Sequence, residues 1–182
     1  MKTKSIFRLY AFIRWTFYLL IISIAFIASN IGTSVKPLLL IPIAICISIN
    51  EGDEITATIT GILCGLLMDI SCDKLFGYNA ILLIACCVFT SLLFNHLLRP
   101  NVINAFYVCA ILAFIHGILD YLFYYAIWGY ENVSQIFFKY TFVSWIYTSI
   151  STILVYLLLR LIYNKFQPKR IHSIEEPANN ED

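Results

Sequence analysis

Apolar residues fill the chain from Phe12 to Tyr163 in runs of helix length, broken by short polar interruptions. The runs recur at bilayer-spanning length, so they predict an all-α integral membrane protein. Six helical segments are expected: Phe12–Ala28, Pro37–Ile49, Ile55–Ile70, Tyr78–Leu97, Ile103–Ile127 and Phe142–Tyr163. Residues 1–166 then form one six-span domain. Residues 167–182 form a polar, Pro-containing tail expected to be disordered.

The second segment is short. Its thirteen residues reach about 20 Å at 1.5 Å each, against roughly 30 Å of hydrocarbon. Pro37 suits a first helical turn, whereas Pro42 is expected to disturb the following one. Two explanations compete. The helix starts earlier, near Gly32, which is the preferred reading, or it is a broken segment shielded by its neighbours.

Composition agrees with a membrane setting: 60% hydrophobic and 13% charged residues, with a mean hydropathy of +0.82. A net charge of +1 gives no argument for nucleic acid. The distribution of charge is more informative. Lys2, Lys4, Arg8, Arg14, Arg99, Arg160, Lys165, Lys169 and Arg170 fall on one side of the six-span map. Only Lys36, Lys74 and Lys139 fall on the other. This bias predicts cytoplasmic termini. The N-terminal run exceeds a signal-peptide core and has no small-residue cleavage site, so it is read as a retained first span. Arg14, just inside that span, is expected to snorkel to the cytoplasmic face.

Aromatic residues cluster where interfacial anchors are expected: Tyr10, Trp15 and Tyr18 at the inner start, and Tyr124, Tyr125, Trp128, Tyr130, Tyr140 and Trp145 around the last outer loop. The outer group is equally suited to docking a partner. The six cysteines show no CxxC spacing, and five lie in apolar runs as small core- or lipid-facing residues. Cys72 is placed in a loop as a free thiol.

Candidate chemistry is sparse. His116 and Asp120 lie four apart on the fifth segment, so they share a face that Tyr124 continues. The pair serves either as a proton relay or ligand contact, or as a self-satisfied lock against neighbouring helices. Asp69 ends the third segment near the outer interface. It is expected to stay hydrated there, to accept N–H bonds in the following turn, or to meet an arginine. Gly61 and Gly65 form a GxxxG, used either for close packing within the bundle or for contact with a partner helix. Gly77 and Gly129 serve loop geometry. No Asp-Asp, HExxH or Ser–Lys arrangement is present, so no catalytic residue, metal ligand or cofactor is expected.

Three stretches carry a family likeness: KPLLLIPIAICISI with the EGDE turn, GILCGLLMDISCDKLFGYNAILL, and HGILDYLFYYAIWGY. Over Lys36 to Tyr130 the chain resembles the rod shape-determining protein MreD family. The most specific element is G-LL-D-x6-FG-x-NA, carried by Gly65, Leu66, Leu67, Asp69, Phe76, Gly77, Asn79 and Ala80. The resemblance implies a non-enzymatic component of the bacterial cell-elongation complex in the cytoplasmic membrane. Its partners there would be MreC, RodA with its penicillin-binding transpeptidase, and the cytoplasmic MreB filaments. The small-residue face at Gly61 and Gly65, or the outer loop from Trp128 through Tyr130 to Tyr140, would grip the transmembrane helix of MreC. The family is similar in fold to the S-components of energy-coupling-factor vitamin transporters. That similarity implies an alternative, a vitamin-binding S-component, with His116, Asp120 and Asn79 as ligand contacts. Transporter S-components often carry Ala-x-x-x-Ala on the first helix, where this chain has only Ala25 and Ser29.

Overall fold

The computed structural model describes residues 2–31, 38–72, 75–127, 135 and 137–166, with side chains from Leu9 onward. Among them every regular element is helical. The helices are α1 (Lys2–Asn30), α2 (Leu40–Glu51), α3 (Glu54–Cys72), α4 (Tyr78–His96), α5 (Val102–Tyr121) and α6 (Phe142–Phe166). A π-helical turn, Leu122–Ala126, extends α5, and a second, Phe137–Thr141, precedes α6. Trp128, Tyr130, Lys36, Lys74 and the tail 167–182 lie outside the described residues.

Five helices are long and apolar enough to cross a membrane: Leu9–Asn30, Glu54–Cys72, Tyr78–His96, Val102–Ala126 and Phe137–Phe166. The sixth, α2, is not. Its twelve residues extend about 18 Å, so the six-span expectation becomes five long helices and one half-length helix. Residues Leu40 to Ile49 are all buried, and α2 packs against each of the other five helices. A helix that is apolar all round belongs inside its bundle, where its neighbours replace lipid as solvent.

Gly32 and Pro37, near which the start of this helix is expected, lie outside the described residues, among which α2 begins at Leu40. Residue 38 is non-helical, and the first helical bond joins Ile43 N–H to the Leu39 carbonyl at 3.3 Å. Pro42 therefore occupies the third position of α2, where its missing N–H would have had no partner within the helix. It marks the beginning of α2 rather than disturbing its middle. The Leu38 N–H donates to Thr148 Oγ1 on α6 at 3.1 Å, well inside the bundle. At the other end Gly52 takes φ 66° and its N–H bonds the Ser48 carbonyl at 3.1 Å. This left-handed stop is one that glycine adopts at little cost. Asn95 of α4 donates to the Gly52 carbonyl at 2.6 Å, fixing that turn to its neighbour.

Phe17 of α1 stacks on Phe166, the last residue of α6, at 5.3 Å. The first and last helices thus begin and end at one end of the bundle, called here the terminal end. The α3–α4 turn and the π-helical turns lie at the far end. At the terminal end Arg14 meets Glu51 at 2.6 Å, with side chains only 14% and 9% exposed. The guanidinium also lies 5.1 Å over the Tyr163 ring. Arg14 therefore does not snorkel into water: it ties α1 to α2 and α6. Tyr18, assigned by sequence to the interface, is fully buried next to this pair.

Candidate functional site

The residues carrying the sequence likeness converge on one hairpin, α3–α4, the most extensive helix pair in the bundle. Gly61 and Gly65 sit one helical turn apart on the α3 face that meets α4. A Cβ at Gly61 would fall 2.8 Å from the Ile84 Cα, and one at Gly65 would fall 2.6 Å from the Ala80 nitrogen. Both obstructing groups are backbone, so only glycine permits this approach. The small-residue face is consequently filled by α4. The expectation that it grips a helix of another protein is corrected: within this fold no partner helix reaches it.

Asp69 is one turn short of the end of α3 and is only 1% exposed. Its Oδ2 accepts the Gly77 N–H at 2.7 Å and its Oδ1 accepts the Asn79 N–H at 3.0 Å. Gly77, at φ 96°, is the residue preceding α4, so the carboxylate caps the first turn of α4 from the helix before it. Negative charge at a helix N-terminus is favourable, and two charge-assisted bonds offset the desolvation of the acid. Of the three uses expected of Asp69, the structure shows the second: it accepts N–H bonds in the following turn, and it does so buried rather than hydrated.

The far end of the hairpin is fastened to α5 by aromatic residues. Tyr78 stacks on Phe123 at 5.0 Å and meets Tyr124 edge-on at 5.4 Å. The Tyr124 hydroxyl accepts the Leu75 N–H at 3.1 Å. Asp120 lies near Tyr78. It is only partly buried, whereas His116, one turn earlier, is 2% exposed. Asn79 is completely buried, and among the described residues neither its side-chain oxygen nor its side-chain nitrogen has a hydrogen-bond partner.

The two π-helical turns bring a further set of rings together. Tyr121 packs on Phe137 at 4.9 Å and on Tyr125 at 6.3 Å, and Phe138 meets Phe142 at 6.5 Å. Phe123, Tyr125, Phe138 and Tyr140 remain exposed around this collar, as do Leu75 and Phe76 of the hairpin turn. Trp145 does not belong to it. Because the helical run begins at Phe137, Trp145 lies about 12 Å further along. Its indole N–H donates to the Ala110 carbonyl of α5 at 2.9 Å, so it locks two helices instead of anchoring at an interface.

No disulfide joins the cysteines, and Cys72 is the last residue of α3 rather than a loop residue. Among the described residues no group of three or more His, Cys, Asp and Glu side chains is arranged to hold a metal ion. Comparison with protein-family models, curated proteins and solved structures gives no match. The Arg14–Glu51 pair, the mid-bundle start of α2 and the π-helical turns that add Tyr121, Phe137 and Phe138 to the outer aromatic cluster are the features that sequence reasoning missed. The acidic EGDE turn placed just after a half-length apolar run was the available signal for the first.

Proposed function

We propose that this chain is a multi-pass scaffold of the bacterial cell-elongation machinery, working as members of the MreD family do. The observation that carries the reading is the use made of the G-LL-D-x6-FG-x-NA residues. Gly65 and Ala80 set the closest helix approach, while Asp69, Gly77 and Asn79 form the cap of α4. A pattern whose members build one structural device is far less a chance match than scattered apolar identities. In this reading the terminal end faces the cytoplasm and the far end faces outward, in keeping with the distribution of Lys and Arg. The exposed rings of the far-end collar then meet MreC where its transmembrane helix leaves the bilayer, since large rings with little rotamer entropy make strong contacts. RodA with its transpeptidase, and MreB on the cytoplasmic side, complete the assembly.

The test is depletion in the native bacterium with co-purification of MreC. Rods rounding into spheres on depletion, with MreC capture lost for Phe138→Ala/Tyr140→Ala, support the role. Unchanged cell shape together with unchanged capture overturns it.

One observation favours the S-component alternative: the buried Asn79 amide without a protein partner suits a small polar ligand. Against it, Ala25 of the small pair on α1 is buried within the bundle, so that face is not free for a transporter. Vitamin auxotrophy with normal shape on depletion would select this alternative.

A further inference from the structure

Residues of α5 and α6 line a wholly apolar groove of about 510 Å³, within the range of ligand pockets. Its walls are Phe106, Phe114, Phe142 and Trp145, and its floor is Ala110 and Ser149. Tyr107 also lines it and, with Ile103 and Ile111, forms an exposed stripe on α5 leading towards the terminal end.

The stripe ends at basic residues. Arg99 is exposed in the α4–α5 turn, and Arg160 of α6 reaches that turn, one of its nitrogens donating to the Pro100 carbonyl and to the Tyr156 hydroxyl. A guanidinium carries five N–H donors, so the charge and further donors remain for a second acceptor. Arg160 is eleven residues from Ser149, which brings it back to within about 20° of the same face of α6. No Asp or Glu occurs between Asp73 and Asp120 or between Glu131 and Glu175. Among the described residues the acids at the terminal end, Glu51, Asp53 and Glu54, belong to the α2–α3 turn, and α3 has no extensive packing against α5 or α6. Glu51 is in any case paired with Arg14.

We propose that this surface is a binding site for one anionic phospholipid of the leaflet at the terminal end. The phosphate sits at Arg99 and Arg160, and one acyl chain runs past Tyr107 into the groove against Trp145. The dimensions agree. From Asn101, the groove spans about 8 Å (Phe106) to about 20 Å (Phe114) along α5. One leaflet of hydrocarbon is about 15 Å deep, so a chain anchored at the turn ends inside it. Charge complementarity decides the occupant: an apolar helix of another protein would fill the groove without using the arginines. The bound lipid would cement α5 to α6 and leave the far-end collar uncovered.

The full-length protein, with Trp15→Phe and Trp128→Phe so that Trp145 alone reports, is reconstituted into phosphatidylcholine vesicles. These hold an equal minor fraction of either phosphatidylglycerol or phosphatidylcholine brominated at mid-chain. Brominated phosphatidylglycerol is expected to quench Trp145 with about fivefold higher apparent affinity per contributing arginine. Arg99→Gln should reduce that preference, and Ala110→Leu, which fills the floor, should reduce quenching by both lipids. Equal quenching by the two lipids reduces the groove to ordinary lipid contact and overturns the proposal. Absence of quenching by either shows that protein covers the groove and overturns it as well. Native mass spectrometry of the unsubstituted protein from mixed-lipid nanodiscs supplies a second reading. One retained phosphatidylglycerol per chain is expected, and no selective retention counts against the site.

Discussion

Gly65 and Ala80 hold α3 and α4 closer together than any side chain would allow: a Cβ on Gly65 would meet the Ala80 nitrogen at 2.6 Å and the Asn79 carbonyl oxygen at 2.8 Å. Because the obstacle is main chain, it cannot turn aside by changing rotamer. The contact fixes the hairpin on which the Asp69 cap depends, so the sequence motif, the helix packing and the cap form one unit.

Gly65→Ala is therefore expected to lower the unfolding midpoint in detergent or nanodiscs by the equivalent of about 1–3 kcal/mol or more. Gly61→Ala should do the same to a lesser extent. Ala80→Gly should not rescue Gly65→Ala, because the clash is with backbone atoms that the second change leaves in place. Circular dichroism melts of the three variants give the answer, and recovery in the double variant would mean that the helices can shift apart.

The cap makes a sharper chemical prediction. Asp69 presents two acceptor oxygens to two N–H donors. Asparagine keeps one acceptor and turns an NH₂ towards the other donor. Asp69→Asn should accordingly destabilise nearly as much as Asp69→Ala, by about 2–4 kcal/mol, since either change leaves a buried donor without a partner. Thermal shift together with hydrogen exchange at the start of α4 would measure this. An Asn variant as stable as the wild type would show that charge and the second acceptor are dispensable.

The hairpin was legible because its determinants are local. The glycine spacing, the acid at a helix end and the FG turn all lie within Gly61–Ala80, and α4 was bounded to within a residue. The start of α2 was not. Pro42 fits either a helix interior that it kinks or a first turn that it begins, and the chain just before it is held at Leu38, whose N–H bonds Thr148, 110 residues further on. Arg14 was misread for the same reason, as its partner is 37 residues distant and becomes a neighbour only when α2 occupies the bundle centre. The π-helical turns share the apolar character of their flanking helices, so hydropathy merged the first with α5 and gave no sign that the second lengthens α6. Trp145 was placed too near a surface as a result.

For Arg14 and Glu51 the prediction separates pairing from packing. Both side chains are largely buried, and removing one partner leaves the other charge stranded. Glu51→Ala or Arg14→Ala should cost about 3–5 kcal/mol, whereas Arg14→Met/Glu51→Leu should come out near neutral. If the single and double variants unfold at the same point, the pair is solvated and contributes nothing particular to holding α1.

Topology supplies the last prediction. Phe17 against Phe166 and Arg14 over Tyr163 put the first half of α1 beside the last turns of α6. Five long helices alone would leave the ends of the chain on opposite faces of a membrane. α2 removes the discrepancy: it runs back through the interior between α1 and α3, although it is too short to cross by itself. Reporter fusions before α1 and after α6 should report the same compartment, which under the proposed function is the cytoplasm, the side that the excess of Lys and Arg favours. A fusion at Gly129 should report the opposite side. Should the two terminal reporters disagree, α2 would not act as a reversal of direction, and the outward placement of the far-end collar would fall with it.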